Sequence, residues 1–282
     1  MTVRNARIPV GAREWVRRDE HDAVEVLEAS FERHVYERHM HDTYAVGVTL
    51  VGVQRFWRRG ATRDSTPGDV IAIAPGEVHD GQSGSAGGYR YRMLYVPIAL
   101  MGAIVSDALE RPASTTYAAS PVIRDRVLAR TLTAACEAMS SPQSTLASDV
   151  LLHESLVSLV SRHAPLRLPD RPVNTPALRT VRDYLHQHLD GAVGVGTLAA
   201  IASMSRFQLT RQFQRAFGLP LHAYQLHVRL EESKRRFKAG MTIADVAADL
   251  GFADQSHFHR RFKGAFGMTP GQWQSPHADP RR

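Results

Sequence analysis

A duplication near the C-terminus constrains this chain more than any other feature. The block Phe213-Gln-Arg-Ala-Phe217-Gly218 returns 49 residues later as Phe262-Lys-Gly-Ala-Phe266-Gly267. Upstream of each, Val195-x-x-Leu198-Ala199 matches Ile243-x-x-Val246-Ala247 at an offset of 48. One residue inserted in the turn between the two blocks accounts for the slip. Each copy reads as a short helix, a turn and a second helix, the arrangement that docks one helix in a DNA groove. Two copies predict a chain that reads two successive turns of duplex.

The 282 residues leave room for two domains, each with its own core. A hydrophobic content of 43% and a charged content of 22% indicate folded domains, not disorder. No run approaches the roughly 18 apolar residues of a membrane span, and Met1 to Arg18 lack the apolar core of a secretory signal. The expectation is therefore a cytoplasmic protein with no membrane partner. Cys136 is the one cysteine, so no internal disulfide forms; beside Ala134 and Ala135 in a helical stripe it reads as a buried structural thiol. From Leu166 onward, 17 Lys and Arg face 9 Asp and Glu, while the remainder is close to neutral. Basicity is concentrated in the duplicated third, where phosphate neutralisation would need it.

Four prolines between Ala164 and Pro176 forbid helix and remove strand donors, so residues 165–176 read as an extended linker. Before it, 121–140 and 145–163 carry apolar positions at helical spacing: Ile123, Val127, Leu132 and Met139, then Leu152, Leu156 and Leu159. Such stripes suit a core or a dimer contact. Residues 40–96 instead show short β-rich runs punctuated by Thr66-Pro67-Gly68-Asp69 and Pro75-Gly76. Tyr89, Tyr91, Met93 and Tyr95 alternate with smaller or charged residues, placing four large side chains on one face of a strand. Short strands so closely spaced predict a small barrel or sandwich whose interior is a natural ligand cavity.

Ser205 is a good N-cap for a helix with Leu209, Phe213 and Phe217 packed inward and Phe207, Thr210, Arg211 and Gln214 on the opposite face. In the second unit Asp254 caps, Phe258, Phe262 and Phe266 pack, and Ser256, His259, Arg260 and Lys263 point outward, with Gln255 and His257 near the end that enters the groove. Arginine is the commonest reader of guanine, so Arg211 and Arg260 lead as base readers, followed by Arg206, Thr210, Gln255 and Ser256. Arg215, Arg261 and Lys263 are expected on phosphates, which fix register without reading sequence. Between the units, Leu221 to Lys238 lacks Gly and Pro and precedes Gly240. A helix there of about 18 residues spans about 27 Å, a suitable spacer for groove faces about 34 Å apart. Arg229 on this helix is a further phosphate candidate.

The run Ile243-Ala-Asp-Val-Ala-Ala-Asp-Leu-Gly-Phe-Ala-Asp-Gln-Ser-His-Phe-His-Arg-Arg-Phe-Lys263, closing with Phe266-Gly-Met-Thr-Pro270, carries a family resemblance. Residues 195–273 resemble the DNA-binding domain of the AraC/XylS family of bacterial transcription regulators. The resemblance implies a seven-helix domain whose two motifs enter adjacent major grooves, usually of asymmetric sites. It implies base contacts from Phe207, Thr210 and Arg211, and from Gln255, Ser256 and Arg260. His257 joins them by its place at the groove end.

Upstream, His39-Met-His41, Pro67-Gly68-Asp69 and Pro75-Gly76-Glu77-Val78-His79 are similar to the cupin-like sensor domain of the same family, over about residues 30–97. Three histidines on two neighbouring strands suit a divalent ion. Metal-binding cupins add a Glu a few residues after the His-x-His pair, but here Ala45, Val46 and Gly47 follow, with no acid between Thr43 and Arg63. The pattern therefore points to a small polar effector contacted by His39, His41, Tyr44, Trp57, Glu77 and His79, with no metal and no cofactor.

The expected architecture is a two-domain α+β chain. Residues 1–164 form a cupin-like β-barrel with flanking helices, residues 177–275 an all-α domain with two helix-turn-helix motifs, and residues 276–282 a flexible tail. The expected function is effector-controlled binding of double-stranded DNA, by a homodimer that contacts RNA polymerase. The family contains more activators than repressors. The alternative is a metal-dependent cupin enzyme fused to a DNA-binding module.

Overall fold

The computed structural model describes residues 14–21, 23–108, 120–140, 145–163, 175–191 and 193–275. Nearly all of the expected linker and the whole of the expected tail lie outside these residues. The chain divides into two compact units, one mainly sheet and one helical, and the short segment Tyr36–His39 groups with the helical one.

The N-terminal part of the chain contains ten strands among the described residues: β1 (Trp15–His21), β2 (Val24–Phe31), β3 (Tyr36–His39), β4 (Tyr44–Gly52), β5 (Gln54–Arg58), β6 (Ala61–Ser65), β7 (Val70–Ile73), β8 (His79–Ser83), β9 (Tyr89–Val96) and β10 (Val122–Ile123). They pair as a six-stranded sheet in the order β1-β2-β9-β4-β7-β10 and a four-stranded sheet in the order β3-β8-β5-β6. The expected β-rich domain is present, but its two antiparallel sheets stay open and do not close into one barrel. The chain passes from the first sheet to the second at Gly52, whose φ is 71° and whose missing Cβ would lie 2.0 Å from the Gly88 carbonyl oxygen. Only glycine suits both conditions. The two sheets also meet through Thr49 of β4 and Ser65 of β6, whose buried hydroxyls lie 2.6 Å apart.

Alternation along β9 works as the sequence predicts. Tyr89, Tyr91 and Met93 occupy one face, while Leu94 and Val96 point to the other. That second face joins Val46 and Val48 of β4 in a core with Leu128, Leu132 and Leu156. These leucines come from α2 (Arg126–Met139) and α3 (Thr145–His163), which cover the sheet together with α1 (Ile98–Ala108). The helix expected from residue 121 starts only at 126, because Val122 and Ile123 pair with β7 and Asp125 caps the helix by accepting from the Val127 and Leu128 amides. Val127, expected on the apolar stripe, is 63% exposed. Cys136 is buried, and burial pushes its thiol up to about 12.

The C-terminal unit is helical: α4 (Pro176–Gln187), α5 (Val195–Ala202), α6 (Arg206–Phe217), α7 (Leu221–Lys238), α8 (Ile243–Asp249), α9 (Gln255–Phe266) and α10 (Pro270–Gln274). These are seven helices among the described residues, the number the family resemblance implies. The duplication is visible in the backbone. Ser203 and Gly251, 48 positions apart, both take the left-handed conformation that turns α5 toward α6 and α8 toward α9. The N-caps that follow, Ser205 and Asp254, are 49 apart. The extra residue of the second copy therefore lies inside its turn, between Gly251 and Asp254.

Candidate DNA-reading surface and effector site

Each recognition helix is fixed by a local cap and an apolar stripe. Ser205 accepts from the Gln208 amide and Gln208 reaches back to the Ser205 amide, a complete capping box. Asp254 accepts from the His257 amide at 2.6 Å. Leu209, Phe213 and Phe217 are buried under α6, and Phe258, Phe262 and Phe266 under α9. Both helices end at glycines in the left-handed region, Gly218 and Gly267. The stripes and caps together leave one face of each helix to solvent.

On α6 the exposed residues include Arg206, Phe207, Thr210, Arg211 and Arg215. The Arg206 guanidinium lies over Gly196 of α5, 3.1 Å from where a Cβ would be. Thr210 turns its hydroxyl back to the Arg206 carbonyl oxygen at 2.9 Å. On α9, Gln255, Ser256, Arg260 and Lys263 are exposed, while His257, His259 and Arg261 are half-buried. The Arg261 Nε approaches His257 Nε2 at 3.5 Å, and its Nη1 lies 3.5 Å from Glu37 Oε1. Arg211 and Arg260 each stand six residues after their N-cap, so the two helices present a guanidinium at the same height.

Arg229 on α7 departs from expectation. It is half-buried and donates to the Gly191 carbonyl oxygen at 2.6 Å, beside Gln225, which donates to the same oxygen at 3.1 Å. Burial lowers the Arg229 guanidinium's proton affinity, with Asp190 opposing. Its donors hold the loop before α5, which leaves it poorly placed for a phosphate.

Among the effector candidates, the structure brings some together and separates others. His39, His41 and His79 are buried and bring one ring nitrogen each to within 4.8 Å of one another, with no carboxylate in the group among the described residues. The Nδ1 atoms of His39 and His79 lie 2.7 and 2.9 Å from the Glu37 and Glu77 carbonyl oxygens, which favours the Nδ1–H tautomer in both. The His41 ring lies edge-on to Tyr95, with centroids 4.8 Å apart.

Glu77 is 3% exposed, and its carboxylate pairs with Arg58 and Arg59 while accepting from the Ala74 amide at 3.1 Å. Burial lowers Arg58, with Glu77 opposing that shift. Sequence reading missed Arg58 because hydropathy gives no reason to turn an arginine inward. Tyr44 is buried on the helix-covered face of β4, within the core that includes Leu128. Trp57 alternates with the buried Phe56 and Arg58 and so faces away from them, whereas Arg58 and His79 are register partners on one face. Tyr44 and Trp57 thus leave the expected set. A separate open groove of about 940 Å³ lies among Arg55, Arg63, Asp64, Gln82 and Arg124, and none of the expected effector residues lines it.

The comparisons with known proteins match two separate parts of the chain. An AraC-like ligand binding domain matches residues 22–156, and a helix-turn-helix domain matches residues 198–275; the two together span more than half of the chain. The HTH-type transcriptional regulator YbfI of Bacillus subtilis is 23% identical over 223 residues, 79% of this chain and 81% of YbfI. MtrA of Neisseria gonorrhoeae, also an HTH-type transcriptional regulator, is 35% identical over 81 residues, 28% of this chain and 27% of MtrA. The transcriptional activator NphR of Rhodococcus is 34% identical over 106 residues, 37% of this chain and 31% of NphR. Among solved structures, an apo ToxT from Vibrio cholerae aligns with a TM-score of 0.60 at 12% identity, over 92% of this chain and 99% of ToxT. ToxT bound to an unsaturated fatty acid aligns with a TM-score of 0.60 at 13% identity, over 91% and 96%. At such identities the likeness is one of fold. Among the described residues no helix is long and apolar enough to cross a membrane.

Proposed function

The chain belongs to the AraC/XylS family of DNA-binding transcription regulators, and from that premise we propose that it reads an asymmetric duplex site with α6 and α9 under control of a small molecule bound in the N-terminal unit. The observation that carries this reading is the matched exposure of Arg211 and Arg260 at one height above their N-caps. Each suits a paired contact to guanine O6 and N7. Phe207, Thr210, Gln255 and Ser256 complete the base-facing set, with Arg206 and His257 at its edges. Arg215 and Lys263, exposed further along each helix, hold phosphates, and Arg261 adds a weaker phosphate contact. The chain acts in the cytoplasm as a homodimer that touches RNA polymerase, and it is not an enzyme.

The effector meets the buried His39, His41 and His79 group, next to Glu77 and its arginines. That polar lining suits a small hydrogen-bonding molecule better than a long acyl chain such as the fatty acid held by ToxT. Control requires that the effector bind two states of the protein unequally.

The test is genomic. Sheared source DNA is pulled down with the full-length protein, with and without metabolite extract, and sequenced. A few enriched fragments sharing two elements about one helical turn apart support the tandem reading. Folded protein that enriches nothing under either condition overturns it.

A further inference from the structure

Phe207 is 74% exposed, whereas Phe213 and Phe217 on the same helix and Phe258, Phe262 and Phe266 on its counterpart are all buried. A single exposed apolar side chain is unremarkable in itself. Its position gives it meaning. Phe207 is the second residue of α6, in the turn that a recognition helix places against base edges. Thr210 lies three residues on, along the same side of the helix. With its hydroxyl bonded to the Arg206 carbonyl oxygen, Thr210 leaves its methyl group as the outward apolar surface. An aromatic ring and a methyl group thus form an apolar step beside the exposed Arg211.

Major-groove edges present donors and acceptors at every base, and only thymine adds an apolar group, its C5-methyl. Resting on the duplex reading proposed above, we infer that Phe207, together with the Thr210 methyl, selects a thymine by its C5-methyl in the half-site read by α6. The duplication supplies the contrast. At an offset of 49, Phe207 corresponds to Ser256 and Thr210 to His259. The half-site read by α9 therefore has no matching methyl dependence, and Gln255, Ser256 and Arg260 read it by hydrogen bonds.

The experiment uses the full-length protein on an enriched duplex in which each thymine in turn is replaced by deoxyuridine, removing one methyl and nothing else. In the α6 half-site, one or two replacements weaken wild-type binding about three- to tenfold. Replacements in the α9 half-site change it less than twofold. Phe207→Ala binds the unmodified duplex more weakly and no longer distinguishes thymine from deoxyuridine there, while Arg260→Ala keeps the distinction. Phe207→Ala removes an exposed ring, so a far-ultraviolet spectrum like that of the wild type is expected.

Wild-type binding that ignores every replacement, or a Phe207→Ala variant as sensitive as the wild type, overturns the inference. So does unchanged DNA binding by Phe207→Ala with lost transcription, which would assign the ring to a protein partner. A protein that binds no duplex at all instead removes the regulator reading, and this inference with it.

Discussion

Asp125 and His163 lie 2.7 Å apart, joining the N-cap of α2 to the last turn of α3. The same carboxylate accepts from the Val127 and Leu128 amides at 3.0 and 3.1 Å and pairs with Arg162 at 2.9 Å. One side chain thus ends one helix and holds another. Asp125→Ala should destabilise the protein by about 1–2 kcal/mol, measured by urea unfolding of the full chain. Asp125→Asn keeps a capping oxygen and should cost less. Equal losses in the two variants would mean that the link to α3 matters more than the cap.

The pH dependence of that link follows from its sign. The His163 hydrogen bond holds the Asp125 carboxyl below the ordinary carboxylate range, helped by the two amides and Arg162. Its contribution is therefore complete above the ordinary carboxylate value and is lost as pH falls through the lower folded value. Unfolding curves between pH 7 and pH 3 should fall more steeply for the wild type than for Asp125→Asn. Parallel curves would assign the acid sensitivity to other carboxylates.

Glu77→Gln removes the charge that balances Arg58, which is itself 4% exposed. Breaking a buried pair on one side costs about 3–5 kcal/mol because the other charge stays behind. Replacing both partners, as in Glu77→Gln with Arg58→Met, should recover much of the loss. A single variant as stable as the wild type would show that Arg58 reaches water once Glu77 is neutral.

Arg260→Ala should weaken specific sites by about 1–3 kcal/mol and relax the choice at one base pair. Lys263→Ala should weaken all sequences alike and reduce the salt slope by about one unit. Fluorescence anisotropy on a site, a single-base variant of it and random duplex separates the two. Matching behaviour would mean that the division between base and phosphate contacts is wrong.

Gly251→Ala should cost about 1–3 kcal/mol, because φ there is 68° and a Cβ would lie 2.5 Å from the Asp190 carbonyl oxygen. Ser203, at φ 53°, bears the same conformation with a side chain, so Ser203→Gly should be neutral or slightly stabilising. Thermal unfolding of the two variants should move in opposite directions or by clearly unequal amounts.

The helical unit was the more legible part of the sequence because its signals are local. Ser205, Asp254, Gly218 and Gly267 sit at helix ends that a reader of caps can place, and the absence of Gly and Pro from Leu221 to Lys238 defines α7. The sheet-rich unit was less so. β1 hides because its charged residues find partners across strands, as Arg18 does with Glu25 and Arg17 with Glu28, which hydropathy does not register. α1 hides because apolar residues fill most of it and leave little period to detect. Tyr44 and Trp57 were expected at the effector site because alternation says which residues share a face, not which face the helices cover. That choice is made by α2 and α3, far along the chain from β4 and β5.

The single extra residue between Gly251 and Asp254 carries a consequence for the promoter. With that residue in only one turn, and with different side chains at matching heights on α6 and α9, the two readers are not interchangeable. On the proposed reading, a site recognised by α6 and α9 has a polarity, like an arrow printed on the duplex. Inverting that site in place, with every base pair and the spacing kept, should leave occupancy unchanged. It would reverse which helix lies toward the transcription start, so, if the proposed contact with the polymerase is how the protein acts, transcription should fall silent while the site stays bound.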